Sequence, residues 1–270
     1  MADEYPLSEE QIQFYQENGY IQLRDVLTPE GVEQARAAVA RVMGRRLDPN
    51  HDMSGHNADY DKVFVQKINL WQVDPGIREH TFNPTLAGIA RRLTRAPRVR
   101  LWHDQVLVKN PGDSKPSAWH QDWPYWPMRE TGALSCWVAL DDVDEANGCM
   151  AFVPRSQWFG ALEPIRLDDP RDLFALVPDD VRDAGNLQPI FQPMPAGSCT
   201  FHNGLTFHYA GPNTTDRPRR AIITIYTPGD VHYTGTDHPI TQGLDLTGGD
   251  VLAGQNFPIL AEARVAVPAT

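Results

Sequence analysis

The first fifth of the chain carries its apolar residues at helical spacing. Val32, Ala35, Val39 and Val42 recur three or four positions apart, which lays one apolar face along a helix ending near Met43. Thr28 followed by Pro29 predicts where that helix starts: a hydroxyl that accepts from free backbone N–H groups, then a ring whose missing N–H costs nothing in the first turn. Ser8, three residues before Gln11, has capping-box spacing and predicts a shorter helix ahead of it. Between the two helices, Tyr20, Ile21, Gln22 and Leu23 alternate apolar and polar as a strand does.

Beyond residue 63 the period changes. Short β-like runs at 63–70, 99–108, 134–140, 150–153, 198–201, 205–209 and 221–226 are separated by clusters of Pro, Gly, Asn and Asp. The stretch 75–95 interrupts them and predicts a helix. Many short strands with turn-rich spacers predict a mainly β protein with flanking helices, of the sandwich or barrel kind that includes jelly rolls. Residues 44–62 are polar and predict a mobile loop, whereas 160–195, rich in Asp and Pro, predicts a long insertion over a site. No internal repeat or dividing linker is visible, so one domain over 1–270 is expected.

Composition narrows the partners more than the fold. The chain has 35 acidic and 24 basic residues, a formal charge of −11, which argues against nucleic acid or an anionic membrane as partner. Three cysteines, Cys136, Cys149 and Cys199, are odd in number and form no CxxC pair, so a reducing, cytoplasmic setting is expected rather than a disulfide scaffold. The polar, acidic first ten residues do not read as a signal peptide, and no apolar run is long enough to span a bilayer. The oligomeric state is not readable.

The candidate chemistry centres on His120-Gln121-Asp122, the one His-x-Asp in the chain. In an extended segment, side chains two apart share a face, so His120 and Asp122 converge while Gln121 turns away. Pro124 then interrupts the ladder and sets the pair at a strand end. A third ligand comes from His202 or His208, which flank Asn203-Gly204, a dipeptide that predicts a hairpin; spacing does not choose between them. Two imidazoles and one carboxylate make a facial triad with open positions, suited to Fe(II) and shared with some zinc sites. Further on, Arg217, Arg219 and Arg220 stand at the entry to a β-like run. A guanidinium fork pairs a carboxylate through two bonds, and strand alternation places Arg219 with Ala221 on one face and Arg220 on the other.

These pieces, in this order, resemble the phytanoyl-CoA dioxygenase-like family of Fe(II)/2-oxoglutarate oxygenases. The resemblance runs from about Leu7 to Thr227. It is carried by Leu7-Ser8-Glu9-Glu10-Gln11 through Asn18-Gly19-Tyr20-Ile21, by Trp119-His120-Gln121-Asp122, by Ala146-Asn147-Gly148-Cys149-Met150 through Val153-Pro154, and by Phe207-His208 through Gly211-Pro212-Asn213 to Arg219-Arg220-Ala221. It implies a double-stranded β-helix (a jelly roll, cupin-like) that uses Fe(II), 2-oxoglutarate and O2. The metal ligands it implies are His120, Asp122 and His208, because the family's distal histidine precedes a Gly-Pro-Asn-type turn. Arg219, eleven residues later, matches the arginine that holds 2-oxoglutarate, and Trp137, Lys67 and Gln105 match positions near that co-substrate.

The implied reaction is oxidation, most simply hydroxylation, of a small metabolite or natural-product intermediate, with 2-oxoglutarate decarboxylated to succinate. The carboxylate at Asp122 argues against a halide site, for which related halogenases carry a small residue. Trp123, Tyr125, Trp126, Trp158 and Phe159 are expected along a substrate wall. Pro154-Arg155-Ser156-Gln157 departs from the family's Pro-Gly-Ser-His, so Arg155 and Gln157 are expected to mark a different substrate. Two rivals remain: a zinc hydrolase on the same triad, and a non-catalytic jelly-roll binding protein. Bound metal and 2-oxoglutarate consumption separate all three.

Overall fold

A computed structural model describes residues 5–55, 57–112, 114–168 and 187–263, with single positions 174, 177, 179 and 182. The chain opens with α1 (Glu9–Asn18), β1 (Tyr20–Leu23) and α2 (Pro29–Met43), where the sequence pattern puts them. Ser8 accepts from Gln11 N–H, and the Gln11 side chain accepts from Ser8 N–H, closing the capping box. α1 ends at Gly19, whose φ of +77° is left-handed; a Cβ there would lie 2.4 Å from both Gln157 Oε1 and Thr206 Oγ1. Thr28 accepts from Gly31 N–H and starts α2 with Pro29 in its first turn.

The described residues of 44–62, expected as a mobile loop, are tied down. They contain α3 (Ala58–Asp61), and Asp52 bridges to Lys67 in β2 (Val65–Ile68). The helix expected over 75–95 is two helices, α4 (Pro75–Thr81) and α5 (Pro84–Thr94). The break falls at Asn83, whose side chain accepts from Thr85 and Leu86 N–H, while Pro84 lacks the donor and has the ring that would clash inside a continuous helix.

The remaining strands are β3 (Arg98–Lys109), β4 (Leu134–Ala139), β5 (Met150–Phe152), β6 (Ile190–Phe191), β7 (Cys199–Asn203), β8 (His208–Ala210), β9 (Arg219–Pro228) and β10 (Ile259–Glu262). They form a seven-stranded sheet in the order β1-β7-β4-β9-β3-β10, with β2 also on β3, and a three-stranded sheet β6-β5-β8. The strand pairs within both sheets are antiparallel. This is the jelly-roll arrangement, with flanking helices.

The period of two sorts the large sheet's side chains into two cores. Leu134, Cys136 and Val138 of β4, with Ile222 and Tyr226 of β9, pack under α2, α4 and α5. Trp137 and Ala139, with Ala221, Ile223 and Ile225, face inward toward Met150 and Phe152 of the small sheet. Covered on both faces, the central strands read as nearly unbroken apolar runs.

Asn203-Gly204 is not a hairpin turn. β7 ends in the large sheet and β8 begins in the small one, so residues 204–207 carry the chain between sheets. Gly204 is used for a close approach: a Cβ there would meet the Trp126 ring at 2.8 Å. Of the insertion expected over 160–195, most of 169–186 lies outside the described residues, while 164–168 border the internal cavity. Among the described residues no helix is long and apolar enough to cross a membrane.

Candidate active site

His120 and His208 face each other across a two-bond antiparallel bridge. His120 N–H donates to His208 C=O, and His208 N–H donates to His120 C=O, each at 3.0 Å. The backbone thus fixes the rings side by side, centroids 4.0 Å apart. Each ring spends its Nδ1 on the carbonyl two residues back: Ala118 for His120 at 2.8 Å, Thr206 for His208 at 2.9 Å. A carbonyl only accepts, so the proton sits on Nδ1 and the Nε2 lone pair is free in both rings.

Both Nε2 atoms converge on one carboxylate oxygen. Asp122 Oδ1 is 3.7 Å from His120 Nε2 and 3.4 Å from His208 Nε2, and one ligand atom from each of the three residues lies within 4.8 Å of the others. The second oxygen, Oδ2, accepts from Ser135 Oγ at 2.8 Å and contacts His202 Nε2 at 3.2 Å. His202, which sequence spacing leaves as an equal candidate for ligand, instead braces the carboxylate from behind. Ser135 carries no recognisable sequence signal; it emerges from the inward parity of β4.

The electrostatics suit a cation between these groups. Burial pushes the Asp122 carboxyl up, but the imidazoles of His208 and His202 outweigh it and hold the group well below the usual carboxylate range. Burial, then the neighbouring His208, pushes His120 down to about 3, which keeps it neutral and ligand-ready at physiological pH. Two imidazole Nε2 atoms and one carboxylate oxygen are the donor set that Fe(II) takes in open facial sites.

Arg219 is 1% exposed at the start of β9. Its guanidinium lies over the Trp137 ring, 5.2 Å from the centroid, and its Nε and Nη1 are buried with no hydrogen-bond partner. Burial lowers its pKa to about 10, so it keeps its charge. A buried cation with idle donors is costly unless an anion completes it, which fits a dicarboxylate's far end. The neighbouring arginines are placed otherwise, as alternation predicts for Arg220: it forks onto Asp141, and Arg217 is exposed. Lys109, paired in register with Arg219, is a second buried cation that sequence reasoning missed; burial and Arg219 push it down to about 6, and it donates to Lys115 C=O at 2.7 Å.

Trp137 and Gln105 border the same cavity as the triad and Arg219, a space of about 730 Å3. Lys67 does not join them. Its Nζ donates to Val42 C=O at 3.0 Å and Arg45 C=O at 2.8 Å and pairs with Asp52 at 3.2 Å. The register sets Lys67 opposite Val106, on the helix-facing side of the sheet. Gln66, one residue earlier, is the side chain that faces inward; it donates to Gln105 Oε1 at 2.5 Å and accepts from Tyr60 Oη at 2.5 Å.

Two of the five aromatics expected along the wall are on it. Tyr125 and Trp126 line the cavity, joined by Tyr60 and Phe64 from the preceding segment. Trp123 turns away and donates to Glu130 C=O at 2.9 Å; Phe159 packs on Phe207, and Trp158 is 69% exposed. Gln157 does not reach the cavity either: its amide donates to the carbonyls of Gln16 and Glu17 and holds the end of α1. Arg155 borders a surface groove beside it. The departure from the family pattern at Arg155 and Gln157 thus anchors the first helix, with Arg155 N–H donating to Asn18 C=O at 3.0 Å, and neither residue borders the cavity that holds the triad.

Solved structures with this architecture share its chemistry. The chain is 31% identical to the non-haem alpha ketoglutarate dependent carbocyclase SnoK from nogalamycin biosynthesis, with a TM-score of 0.78 over 95% of this chain and 97% of that one. It is 29% identical to the epimerase SnoN in complex with Fe3+, alpha ketoglutarate and nogalamycin RO, with a TM-score of 0.79 over 94% and 98%. Alpha ketoglutarate is 2-oxoglutarate, so fold and donor set together define an iron- and 2-oxoglutarate-dependent oxygenase. Residues 15–221 match the phytanoyl-CoA dioxygenase (PhyH) family model, and the chain belongs to that family. Curated relatives include the peroxisomal phytanoyl-CoA dioxygenase of Bos taurus, 23% identical over 91% of this chain and 76% of that one. The methylphosphonate hydroxylase of Gimesia maris is 24% identical over 91% and 92%.

Proposed function

We propose that the chain is a dioxygenase that oxidises, most simply by hydroxylation, a small metabolite or natural-product intermediate while 2-oxoglutarate is decarboxylated to succinate. His120, Asp122 and His208 are the iron ligands in this reading, and Arg219 holds the far carboxylate of the co-substrate. The observation that carries it is the convergence of both histidine Nε2 atoms on Asp122 Oδ1, with every other polar atom of the three side chains already committed to the protein. A cluster built only to satisfy itself would not leave three lone pairs facing one point.

Iron, bound with 2-oxoglutarate and O2, supplies the oxidising power. The chain's own residues do the rest. Ser135 and His202 orient the Asp122 carboxylate. Trp137 gives Arg219 a flat face to lie on, which fixes the guanidinium plane for a two-bond pairing. Leu107, Met150 and Ile223 line the cavity between them and keep water from the reacting centre. The neighbours from nogalamycin biosynthesis support a natural-product substrate.

The test is anaerobic addition of Fe(II) and 2-oxoglutarate to the apoprotein. A weak visible charge-transfer band is expected, Arg219→Ala should raise the 2-oxoglutarate dissociation constant at least tenfold, and Asp122→Ala should abolish iron-dependent succinate formation. Full succinate turnover in Asp122→Ala would remove the proposal, and a zinc hydrolase would consume no 2-oxoglutarate.

A further inference from the structure

Two more histidines open onto the cavity, and neither has a role in holding metal or co-substrate. His103 stands on the inward face of β3 with Gln105 and Leu107, and His238 lies in the segment after β9. Their rings are 6.5 Å apart, centroid to centroid. Both pack against Trp102, which stacks on Phe257 with centroids at 5.3 Å. The pair is therefore held by a buried aromatic layer rather than left to swing.

The main chain fixes opposite tautomers. His103 Nδ1 lies 2.9 Å from Asp104 C=O, which only accepts, so Nδ1 carries the proton and Nε2 presents a lone pair. His238 Nδ1 accepts from Ile240 N–H at 3.1 Å, so the proton sits on Nε2. Burial pushes His103 down to about 4; burial, then His103, pushes His238 down to about 3. Both rings are therefore neutral near pH 7 and the tautomers persist. Among the described residues no protein group hydrogen-bonds to either Nε2. One wall of the cavity thus offers an acceptor beside a donor.

We propose that His103 and His238 form the polar subsite for the substrate, and that the substrate is an uncharged, ring-bearing alcohol or phenol whose hydroxyl donates to His103 Nε2 and accepts from His238 Nε2–H. The inference rests on the oxygenase reading above and adds the substrate class. A hydroxyl is the common group that donates and accepts through one atom. A ketone would leave His103 unanswered, an ammonium would leave His238 unanswered, and a carboxylate or phosphate would press its lone pairs against that of His103. Charge agrees: Asp122 and Arg219 are committed to metal and co-substrate, and Arg166 forks onto Asp168 at 3.0 and 2.7 Å. The rings that line the rest of the space, Tyr60, Phe64, Tyr125 and Trp126, suit a flat apolar body.

The test compares two probes that differ in one hydroxyl, 9-anthracenemethanol and 9-methylanthracene. Their binding to the protein loaded anaerobically with Fe(II) and 2-oxoglutarate is followed by fluorescence, with the charge-transfer band recorded in parallel. Wild type should bind the alcohol about tenfold more tightly, the worth of one to two net hydrogen bonds. His103→Phe and His238→Phe should bring the ratio near one while the band still forms. His238→Phe lies outside the sheets, so the test stands even if His103→Phe does not fold. A normal band with an alcohol bound no more tightly than the hydrocarbon overturns this inference alone, as does a preference that survives in His238→Phe. No band in wild type overturns the oxygenase reading and this inference with it.

Discussion

His202 and Lys67 show how one side chain's direction decides its role. Each lies beside a site residue in sequence or in space, and each is a titratable group that the cavity could use. His202 contacts Asp122 Oδ2 from the far side, so His202→Phe should keep the triad but weaken its brace. Iron affinity should fall about ten- to a hundredfold, read by titrating the charge-transfer band, whereas His208→Ala should lose the band outright. Lys67 serves the other face of β2. Its ammonium satisfies two carbonyls at the end of α2 and the Asp52 carboxylate, so Lys67→Met should leave 2-oxoglutarate affinity unchanged and cost roughly 2 kcal/mol of stability in urea. A rise in the co-substrate dissociation constant in that variant would restore Lys67 to the site. The sequence could not settle either case. His202 and His208 lie on the strands before and after the Asn203-Gly204 crossing, in different sheets, and Lys67 and Gln66 differ by a single step of strand parity that residue types near them do not mark.

At the scale of elements, the signals that could be read were local ones. Ser8, Thr28 and the apolar spacing along 32–42 place α1 and α2 because caps and periodicity act within a few residues. Asn83-Pro84 contained the same kind of signal, and it divides the helix that the apolar spacing alone joins. Asp74 does two jobs of this sort. It accepts from Gly76 and Ile77 N–H at the start of α4 and pairs with Arg41 of α2, so it ties two helices together. Burial raises its pKa, but the Arg41 guanidinium and those two N–H groups outweigh it and hold the carboxyl below its ordinary value of 3.8. A depressed acid contributes stability that is present above its unfolded pKa and is lost as pH falls through the folded one. Asp74→Ala should therefore cost about 1–2 kcal/mol at pH 7, and the gap from wild type should narrow once the pH drops below about 4, as read from urea midpoints at pH 7 and pH 3.

For the whole molecule, strand order was the illegible part. β1 pairs with β7 and β9 lies between β3 and β4, contacts between segments far apart in sequence that no local pattern encodes. The family resemblance supplied that topology, and with it the choice of His208 and Arg219; residue types alone left three arginines and two histidines open. A cavity that gathers ligands from both sheets also couples binding to folding. Iron with 2-oxoglutarate at a hundred times the dissociation constant should stabilise the fold by about 2.7 kcal/mol and raise the melting temperature by roughly 5 °C or more. Asp122→Ala should show no such shift in a thermal melt. The bridge between His120 and His208 carries the same coupling down to two peptide units. The main-chain rungs that align the imidazoles are also the last rungs at the rim of the small sheet. Losing the ion and fraying that rim are then one event, and the two amide hydrogens there would trade with solvent at a pace set by how much of the protein is metallated.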